Sequence, residues 1–357
     1  MNVTSSSSAT SSTSSTRPAS QPVSKAAAQP ASKPAAEPAS KAEPSVAVLD
    51  EFRGADEPGK TTHGELVEGL LLSQGLQQDD VKRLQVSPQG DVEQLWNEMA
   101  EGHEGALDRY IEDRMHGVLD GTSSALEEIL QDKDSSITTV NQSQGMSESL
   151  VLTQLTAVAR EVPEFKDLLK EQVGLPAEAS GQELVQALVD TIGDVNQNSP
   201  IVQQARQRYL AVSQQLADQG ISHVLAAGNE GETEDALVAS GIETGPNFFR
   251  NILANDNTTV VGAVDARGGN PYFNADAGAE ISAFGVDAPV LTADGDQQVV
   301  SGTSFAAPLV AAADARLAVL FPNLTARQRE GMMAASATPV AGQPGEVGAG
   351  QLNMMAW

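Results

Sequence analysis

The chain has 357 residues, of which 21 are basic and 48 acidic, so that its formal net charge is −27. The length allows one large domain or two ordinary ones, and an apolar fraction of 40% is enough for a core, which excludes global disorder. The acidic balance argues against a surface that follows nucleic-acid phosphates or an anionic membrane. The absence of cysteine excludes disulfides, thiolate metal ligands and cysteine nucleophiles.

The first 45 residues are mostly Ser, Thr, Ala and Pro, a composition that predicts a disordered leader. This segment lacks the apolar region of a secretory signal peptide, so we expect a cytoplasmic protein or one exported without such a signal. Its polar, Ser-rich start resembles type III export signals. The longest apolar stretch, Ala306 to Phe321, is interrupted by Pro308, Asp314 and Arg316, which predicts no membrane span.

Past the leader, short apolar and β-branched runs alternate with helical patterns. The runs predict buried strands at Val46–Leu49, Val81–Val86, Ile137–Val140, Ser222–Ala227, Thr258–Val264, Ile281–Phe284 and Val290–Thr292. Apolar residues at helical spacing predict helices after Thr61, within 92–131, within 149–218 and from about Ser304 to Phe321. This alternation predicts an α/β fold with a parallel sheet covered on both faces.

The most informative segment is Ser301-Gly302-Thr303-Ser304-Phe305-Ala306-Ala307-Pro308. Gly302 permits a close backbone approach, and Pro308 is tolerated early in a helix. Ser304 is therefore expected at a helix N-terminus, where free N–H groups favour a developing negative charge. A lone serine at this place is more often a simple helix cap than a nucleophile, so the choice between these two roles depends on the surrounding octet.

Three other segments could carry chemistry. Asn229 follows a buried strand within Ala226–Gly231 and offers an amide donor at the edge where open α/β sheets place their sites. His63 stands at the start of a predicted helix, and Asp50 at the end of the first predicted strand. Each of these alone is typical of an ordinary turn or cap.

Taken together and in this order, the four segments resemble the subtilisin-like serine proteases, or subtilases, from about Val46 to the end of the chain. Thr259–Asp265 and Gly348–Asn353 are similar to further segments of that family. The resemblance implies a three-layer subtilisin-like fold with a mostly parallel central sheet. We then interpret the helical patterns at about 88–134 and 149–198 as extra helical insertions in that fold.

The resemblance also implies a function, that of a serine endopeptidase acting on proteins or peptides. Ser304 is then the nucleophile, His63 the general base and Asp50 the residue that orients the imidazole. The Ser304 N–H and the Asn229 side chain bind the oxyanion. Such chemistry requires no cofactor, and no Asp-rich loop has a convincing calcium-ligand spacing.

Two further segments are expected to bind the substrate. The resemblance implies that the first segment, Ser143, Gln144 and Gly145, is an edge on which the peptide binds as an added strand. It implies that the second segment, Ala226, Ala227 and Gly228, forms a wall of the pocket that binds the substrate side chain before the scissile bond.

Several features depart from the family's pattern. Asp50 is followed by Glu51 and Phe52 where the family has a small residue and then glycine, and the helix after His63 lacks a second histidine. Asp120 has a more typical local sequence, but the only histidine after it is His223, in a strand pattern, so we prefer Asp50.

Two alternatives stay open at this point. The altered surroundings of Asp50 and His63 also fit a catalytically silent subtilase-like domain that binds proteins, for example as a secreted effector. The helices at 149–198 could form a cap that narrows the cleft, or a surface decoration.

Overall fold

The computed structural model describes residues 43–53, 61–87, 90–133, 135–292, 295 and 297–356. All but the last three residues of the predicted leader, 1–45, lie outside this part of the chain. Ser45 is already buried, and its carbonyl accepts the Thr138 N–H at 3.1 Å. The ordered fold therefore includes the residue before the first strand.

The centre of the fold is a sheet of six parallel strands in the order β2-β1-β3-β4-β5-β6. Their bounds are β1 Val46–Asp50, β2 Val81–Gln85, β3 Thr139–Gln142, β4 Ser222–Ala226, β5 Thr258–Val264 and β6 Ile281–Phe284. A separate antiparallel pair consists of β7 Ala288–Leu291 and β8 Gln297–Val300. The predicted α/β class with a mostly parallel central sheet is confirmed.

Successive side chains along each strand point to opposite faces of the sheet and belong to two cores, one on each face. In β1, Ala47 and Leu49 belong to one core while Val46 and Val48 belong to the other. All five β1 residues are buried because helices cover both faces. This explains why the strand reads as a continuous apolar run rather than as an alternating pattern.

Eleven helices are found in the described residues. They are α1 His63–Ser73, α2 Val92–Ala100, α3 Ala106–Gln131, α4 Glu148–Glu161, α5 Pro163–Gln172, α6 Gly181–Asn198, α7 Pro200–Asp218, α8 Gly231–Ala239, α9 Thr303–Leu320, α10 Ala326–Ser336 and α11 Pro344–Val347. The first core contains residues of α2 to α7, and the second contains residues of α1, α9 and α10. The result is the predicted three-layer arrangement of helices, sheet and helices.

The helix α9 is the centre of the second core and packs against β3, β4, β5 and β6. Among the described residues it is the only helix long and apolar enough to cross a membrane, and 72% of it is buried inside the protein. Contact with the sheet accounts for its apolar composition, since a helix packed on most sides needs few polar residues.

Some predicted elements differ from the observed ones. The strand predicted at Ile137–Val140 lies at Thr139–Gln142, because Asn141 and Gln142 are buried in it with hydrogen-bonded side chains. The strand β8 and the helices α8, α10 and α11 were not predicted. The exposed strand β8 is half polar, and the short helix α11 offers little apolar periodicity.

The helices α4 to α6 occupy the range for which a cap or a surface decoration was expected. Leu152, Leu155, Phe165 and Leu188 of these helices are fully or almost fully buried in the same core as Val140 of the sheet. These helices therefore share a core with the sheet, and the choice between a cap and a surface decoration stays a prediction.

A buried ion pair connects the second helical layer to the sheet. Arg329 of α10 donates from Nε to Asp314 Oδ1 of α9 at 2.9 Å, and both residues are at most 2% exposed. Thr139 Oγ1 donates to Asp314 Oδ2 at 2.7 Å, and an Arg329 Nη2 donates to Ser222 Oγ at 2.8 Å. The pair thus holds α9, α10, β3 and β4 together.

We expect Arg329→Leu to lower the free energy of unfolding by about 3–5 kcal/mol, because it leaves the Asp314 carboxylate buried without its counter-charge. The matched control is Arg327→Leu on the same helix, whose side chain is 65% exposed and for which we expect about 1 kcal/mol or less. Urea denaturation followed by circular dichroism measures both. Equal losses in the two variants would contradict the role of the buried pair.

Candidate active site

The site lies at the edge of the sheet where parallel strands end. Asp50 is the last residue of β1, Ser143 follows β3 directly, and Ala227 follows β4. In the observed register Val48 pairs with Asn141, and Gln142 pairs with Leu225. Continuing these pairings by one or two residues puts the three strand ends in one row, the usual location of a site in an open α/β sheet.

Asp50 and His63 form a close pair at this edge. His63 Nδ1 is 2.9 Å from both carboxylate oxygens of Asp50, and Asp50 is fully buried while the imidazole is one-third exposed. The Glu51 N–H also donates to Asp50 Oδ1, at 2.8 Å. A carboxylate acceptor keeps the proton on Nδ1, so Nε2 is the nitrogen left to act as a base.

Gly64 explains how the helix α1 comes so close to the end of β1. Its N–H donates to the Glu51 carbonyl at 3.1 Å. A Cβ at this position would lie 2.7 Å from the same carbonyl oxygen and 3.0 Å from Asp50 Cβ. Any larger residue would therefore push His63 away from Asp50.

Ser304 is the second residue of α9, as expected. Gly302, directly before the helix, has a φ of 145°, a conformation that favours glycine. Ser304 Oγ donates to the Ser143 carbonyl at 3.0 Å, and Ser143 Oγ donates to the Ser304 carbonyl at 2.7 Å. The imidazole of His63 lies beside the next residue, Phe305, with 5.5 Å between ring centroids.

The amide of Asn229 has a fixed orientation. Its Oδ1 accepts the Thr303 N–H at 2.9 Å, and the buried Thr303 hydroxyl lies 3.2 Å from the same oxygen. Within the described residues, neither Asn229 Nδ2 nor the Ser304 N–H has an acceptor. Two unpaired donors therefore border one cavity next to the Ser304 hydroxyl.

The cavity at this edge has a volume of about 290 Å³ and brings the sequence-predicted residues together. It is lined by nine of them, His63, Ser143, Gln144, Gly145, Ala226, Ala227, Gly228, Asn229 and Ser304. The tenth, Asp50, is buried behind His63. Predicted residues from four separate parts of the sequence thus line one cleft, and Asp50 from a fifth lies directly behind it.

The two predicted substrate segments both line this cleft, and each contains a glycine in close contact. Gly145 leaves no room for a Cβ beside the Asn251 side chain, whose Nδ2 donates to the Ala226 carbonyl at 3.3 Å. Gly228 has a φ of 116°, and a Cβ there would lie 2.5 Å from Glu230 Oε2. The sequences of both segments therefore match the tight walls of the cleft.

Seven charged or polar residues that the sequence did not single out as site residues also line the cavity. They are Arg114, Gln142, Ser147, Gln154, Glu230, Asn251 and Thr303. Glu230 stands inside the Ala226–Gly231 motif, so its position could have been noticed. Arg114 and Gln154 belong to helical patterns with no local signal for a cleft residue.

Glu230 has the most perturbed carboxyl group of the cleft. It is 9% exposed, and burial raises its pKa to about 7, although the N–H groups of Asn229 and Glu230 itself lower it. Deeper in the sheet, burial lowers the pKa of His223 to about 3, so this histidine is neutral and structural. Its Nε2 is 3.1 Å from Gln142 Oε1.

The alternative aspartate lies elsewhere. Asp120 is within α3 and accepts a hydrogen bond from Arg208. The described residues contain no cluster of three or more His, Asp or Glu that could hold a metal ion. The expectation that the chemistry needs no cofactor stays a prediction.

Comparison with protein families decides the identity of the fold. The model of the subtilase family, Peptidase_S8, matches residues 127–350, more than half of the chain. The chain belongs to the subtilase family of serine proteases. The match includes Asn229 and Ser304 but begins after Asp50 and His63.

Several solved structures are similar to this subtilase. The prenylagaramide maturation protease PagA is 17% identical with a TM-score of 0.47, covering 88% of this chain and 93% of that one. A lanthipeptide protease is 15% identical with a TM-score of 0.48, covering 88% and 87%. The self-cleaved protease domain of PatA is 18% identical with a TM-score of 0.46, covering 88% and 95%. A search of curated proteins found no significant match.

We expect Gly64→Ala to destabilise the fold by about 1–3 kcal/mol, because the added methyl group collides with the backbone at the end of β1. The matched control is Gly331→Ala in α10, where a Cβ meets nothing within 4 Å. There the better helix propensity of alanine should stabilise the protein by about 0.5–1 kcal/mol. Denaturant unfolding measures both, and two effects of the same sign would contradict the tight contact at Gly64.

Proposed function

We propose that this subtilase is a serine endopeptidase in which Asp50, His63 and Ser304 form the catalytic triad. The observation that carries the proposal is the bond of His63 Nδ1 to both oxygens of buried Asp50, at 2.9 Å, on the cleft that Ser304 lines. A carboxylate of this kind fixes the imidazole tautomer and stabilises the imidazolium during catalysis.

In the proposed mechanism Ser304 Oγ attacks the carbonyl carbon of the scissile peptide bond while His63 Nε2 takes the hydroxyl proton. The carbonyl oxygen becomes an oxyanion, which accepts hydrogen bonds from the Ser304 N–H and Asn229 Nδ2. His63 then gives its proton to the leaving amine. Water, activated by the same imidazole, hydrolyses the acyl-enzyme and restores Ser304.

Substrate binding is proposed to release the nucleophile. Before substrate binds, the Ser304 hydroxyl donates to the Ser143 carbonyl, on the segment proposed to accept the peptide as an added strand. A substrate N–H that binds this carbonyl replaces the Ser304 hydroxyl there. A turn about the Ser304 Cα–Cβ bond then directs the hydroxyl to His63.

Labelling by a fluorophosphonate probe, which requires an activated serine, tests the proposal. We expect wild-type protein to be labelled and Ser304→Ala to lose the label completely. The control is Ser301→Ala, an exposed serine of the same loop, which should be labelled like the wild type. Folded wild-type protein that takes no label would favour the silent protein-binding domain instead.

The proposed roles of Asn229 and Asp50 predict how substitutions at these residues change the kinetics. Asn229→Ala should lower kcat for peptide hydrolysis by about 10²–10³, since it removes one oxyanion donor, and should change KM little. Asp50→Asn should lower kcat by about 10⁴ because it favours the wrong imidazole tautomer. Steady-state kinetics measures both, and unchanged kcat in either variant would remove that residue from the mechanism.

A further inference from the structure

A second cavity, of about 400 Å³, lies among the start of α4, the end of α6, the helix α7 and the segment 245–256. The proposed triad residues and Asn229 are not part of its lining. Asn251 lines both this cavity and the cleft, and its Nδ2 donates to the Ala226 carbonyl at 3.3 Å. The second cavity is therefore next to a substrate segment but apart from the proposed catalytic groups.

The lining of this cavity is mostly polar. Five of its side chains are amides and four are charged, and they belong to Asn196, Gln197, Asn247, Asn251, Asn255, Arg206, Arg250, Glu148 and Asp256. The apolar part of the lining is small. A cavity of this kind suits a charged or strongly polar ligand, because an apolar one would leave most of these groups without partners.

The two arginines of the cavity lack an acidic partner within the described residues. Neither guanidinium is within ion-pair distance of a carboxylate, whereas six other arginines of this acidic chain are. Arg206 donates from Nη2 to Asn196 Oδ1, and the guanidinium of Arg250 donates no hydrogen bond to the described part of the protein. Both side chains are half-buried and their Nε groups are closed off from water. Water therefore compensates these two charges only in part.

Glu148 does not neutralise Arg206. Its Oε1 accepts Asn196 Nδ2 at 2.5 Å instead. Burial raises the pKa of Glu148 and lowers the pKa of Arg206, and the attraction between the two groups does not reverse either shift. In an effective ion pair both pKa values would shift toward the charged forms. A glutamic acid can become neutral by taking up a proton, whereas an arginine stays charged, so the uncompensated charge is the positive one.

Two other carboxyl groups lie near Arg250. Asp256 also lines the cavity but is exposed, so water screens its charge. Arg250 lowers the pKa of Glu280 without forming an ion pair with it, and Glu280 is also 4.0 Å from Arg327. Its Oε2 accepts the Val260 N–H at 3.0 Å. Neither carboxyl is therefore a full counter-charge for Arg250.

We propose that this cavity binds an oxyanion, the carboxylate or phosphate group of a small acidic molecule, between Arg206 and Arg250. The planar guanidinium can donate two parallel hydrogen bonds to the oxygens of either group. The exposed side chains of Gln197 and Asn247 add amide donors to the same cavity. This site is separate from the donors of the cleft, and it does not require the proposed endopeptidase function.

Isothermal titration calorimetry of the folded wild-type protein with inorganic phosphate and with acetate tests for this site. Chloride keeps the ionic strength constant, because salt alone screens exposed charges. We expect saturable binding of at least one of the two anions. Binding of phosphate alone indicates a phosphate-bearing ligand, and binding of acetate alone indicates a carboxylate. Saturable binding of neither anion would overturn the inference.

Substitution of the arginines locates the bound anion. Arg250→Gln should weaken binding at least about tenfold, as for the loss of a hydrogen bond to a charged group, and should leave the fold intact because this guanidinium holds no other residue. Arg206→Gln should have a similar effect, while Arg206→Lys keeps the charge and should retain part of the affinity. The matched control is Arg160→Gln at the exposed end of α4, which should bind as the wild type does. Unchanged affinity in both glutamine variants, with folding verified by circular dichroism, would overturn the inference.

The unpaired donors of the cleft offer a competing place for the same anion, and one further variant separates the two. Asn229→Ala removes one of these donors and should keep the wild-type affinity for phosphate or acetate. Loss of binding in Asn229→Ala together with unchanged binding in Arg250→Gln would place the anion in the cleft and contradict the second site.

Discussion

Parallel strand pairing is the constraint on which the rest of the structure depends. The register of β1 with β3 and of β3 with β4 puts Asp50, Ser143 and Ala227 at one edge of the sheet. The helix α9, packed across four strands, brings its N-terminus and Ser304 to the same edge. The residues of the cleft are far apart in sequence, and the hydrogen bonds of the sheet, rather than any local motif, hold them together. At the opposite ends of these strands, the buried Asp314–Arg329 pair joins α9 and α10 to the first residues of β3 and β4.

Much of this arrangement could be predicted from the sequence because its local signals are strong. Glycine stands where a neighbour comes close, the Glu51 backbone at Gly64 and asparagine side chains at Gly145 and Gly302. Short apolar runs mark the strands that end at the site. The residue after Asp50 is Glu51 rather than the small residue typical of the family. The structure explains why a large residue is tolerated there, because Glu51 contributes only backbone groups, its N–H to Asp50 and its carbonyl to Gly64. The shape of the strand end depends on these backbone groups and on glycine at position 64.

Other features could not be predicted, and each for a physical reason. The strand β3 lies two residues further along the chain than predicted. Asn141 and Gln142 are typical of loops, and only their hydrogen bonds to Ser143 and Thr122 explain why they are buried in a strand. Gln154 and Arg114 face the cleft only because of how α4 and α3 pack, and a helical pattern does not distinguish a cleft face from a core face. Whether a helix such as α4 belongs to the core is likewise decided by contacts distant in sequence, which bury Leu152 and Leu155.

Three polar groups at the cleft have no hydrogen-bond partner. The Ser304 N–H, Asn229 Nδ2 and Gln154 Oε1 all lack one within the described part of the chain, whereas the buried ion pair behind the sheet is fully hydrogen-bonded. An unpaired polar group costs stability, and at a cleft a bound molecule can pair with it. Two of the three are donors beside the Ser304 hydroxyl and suit a developing negative charge.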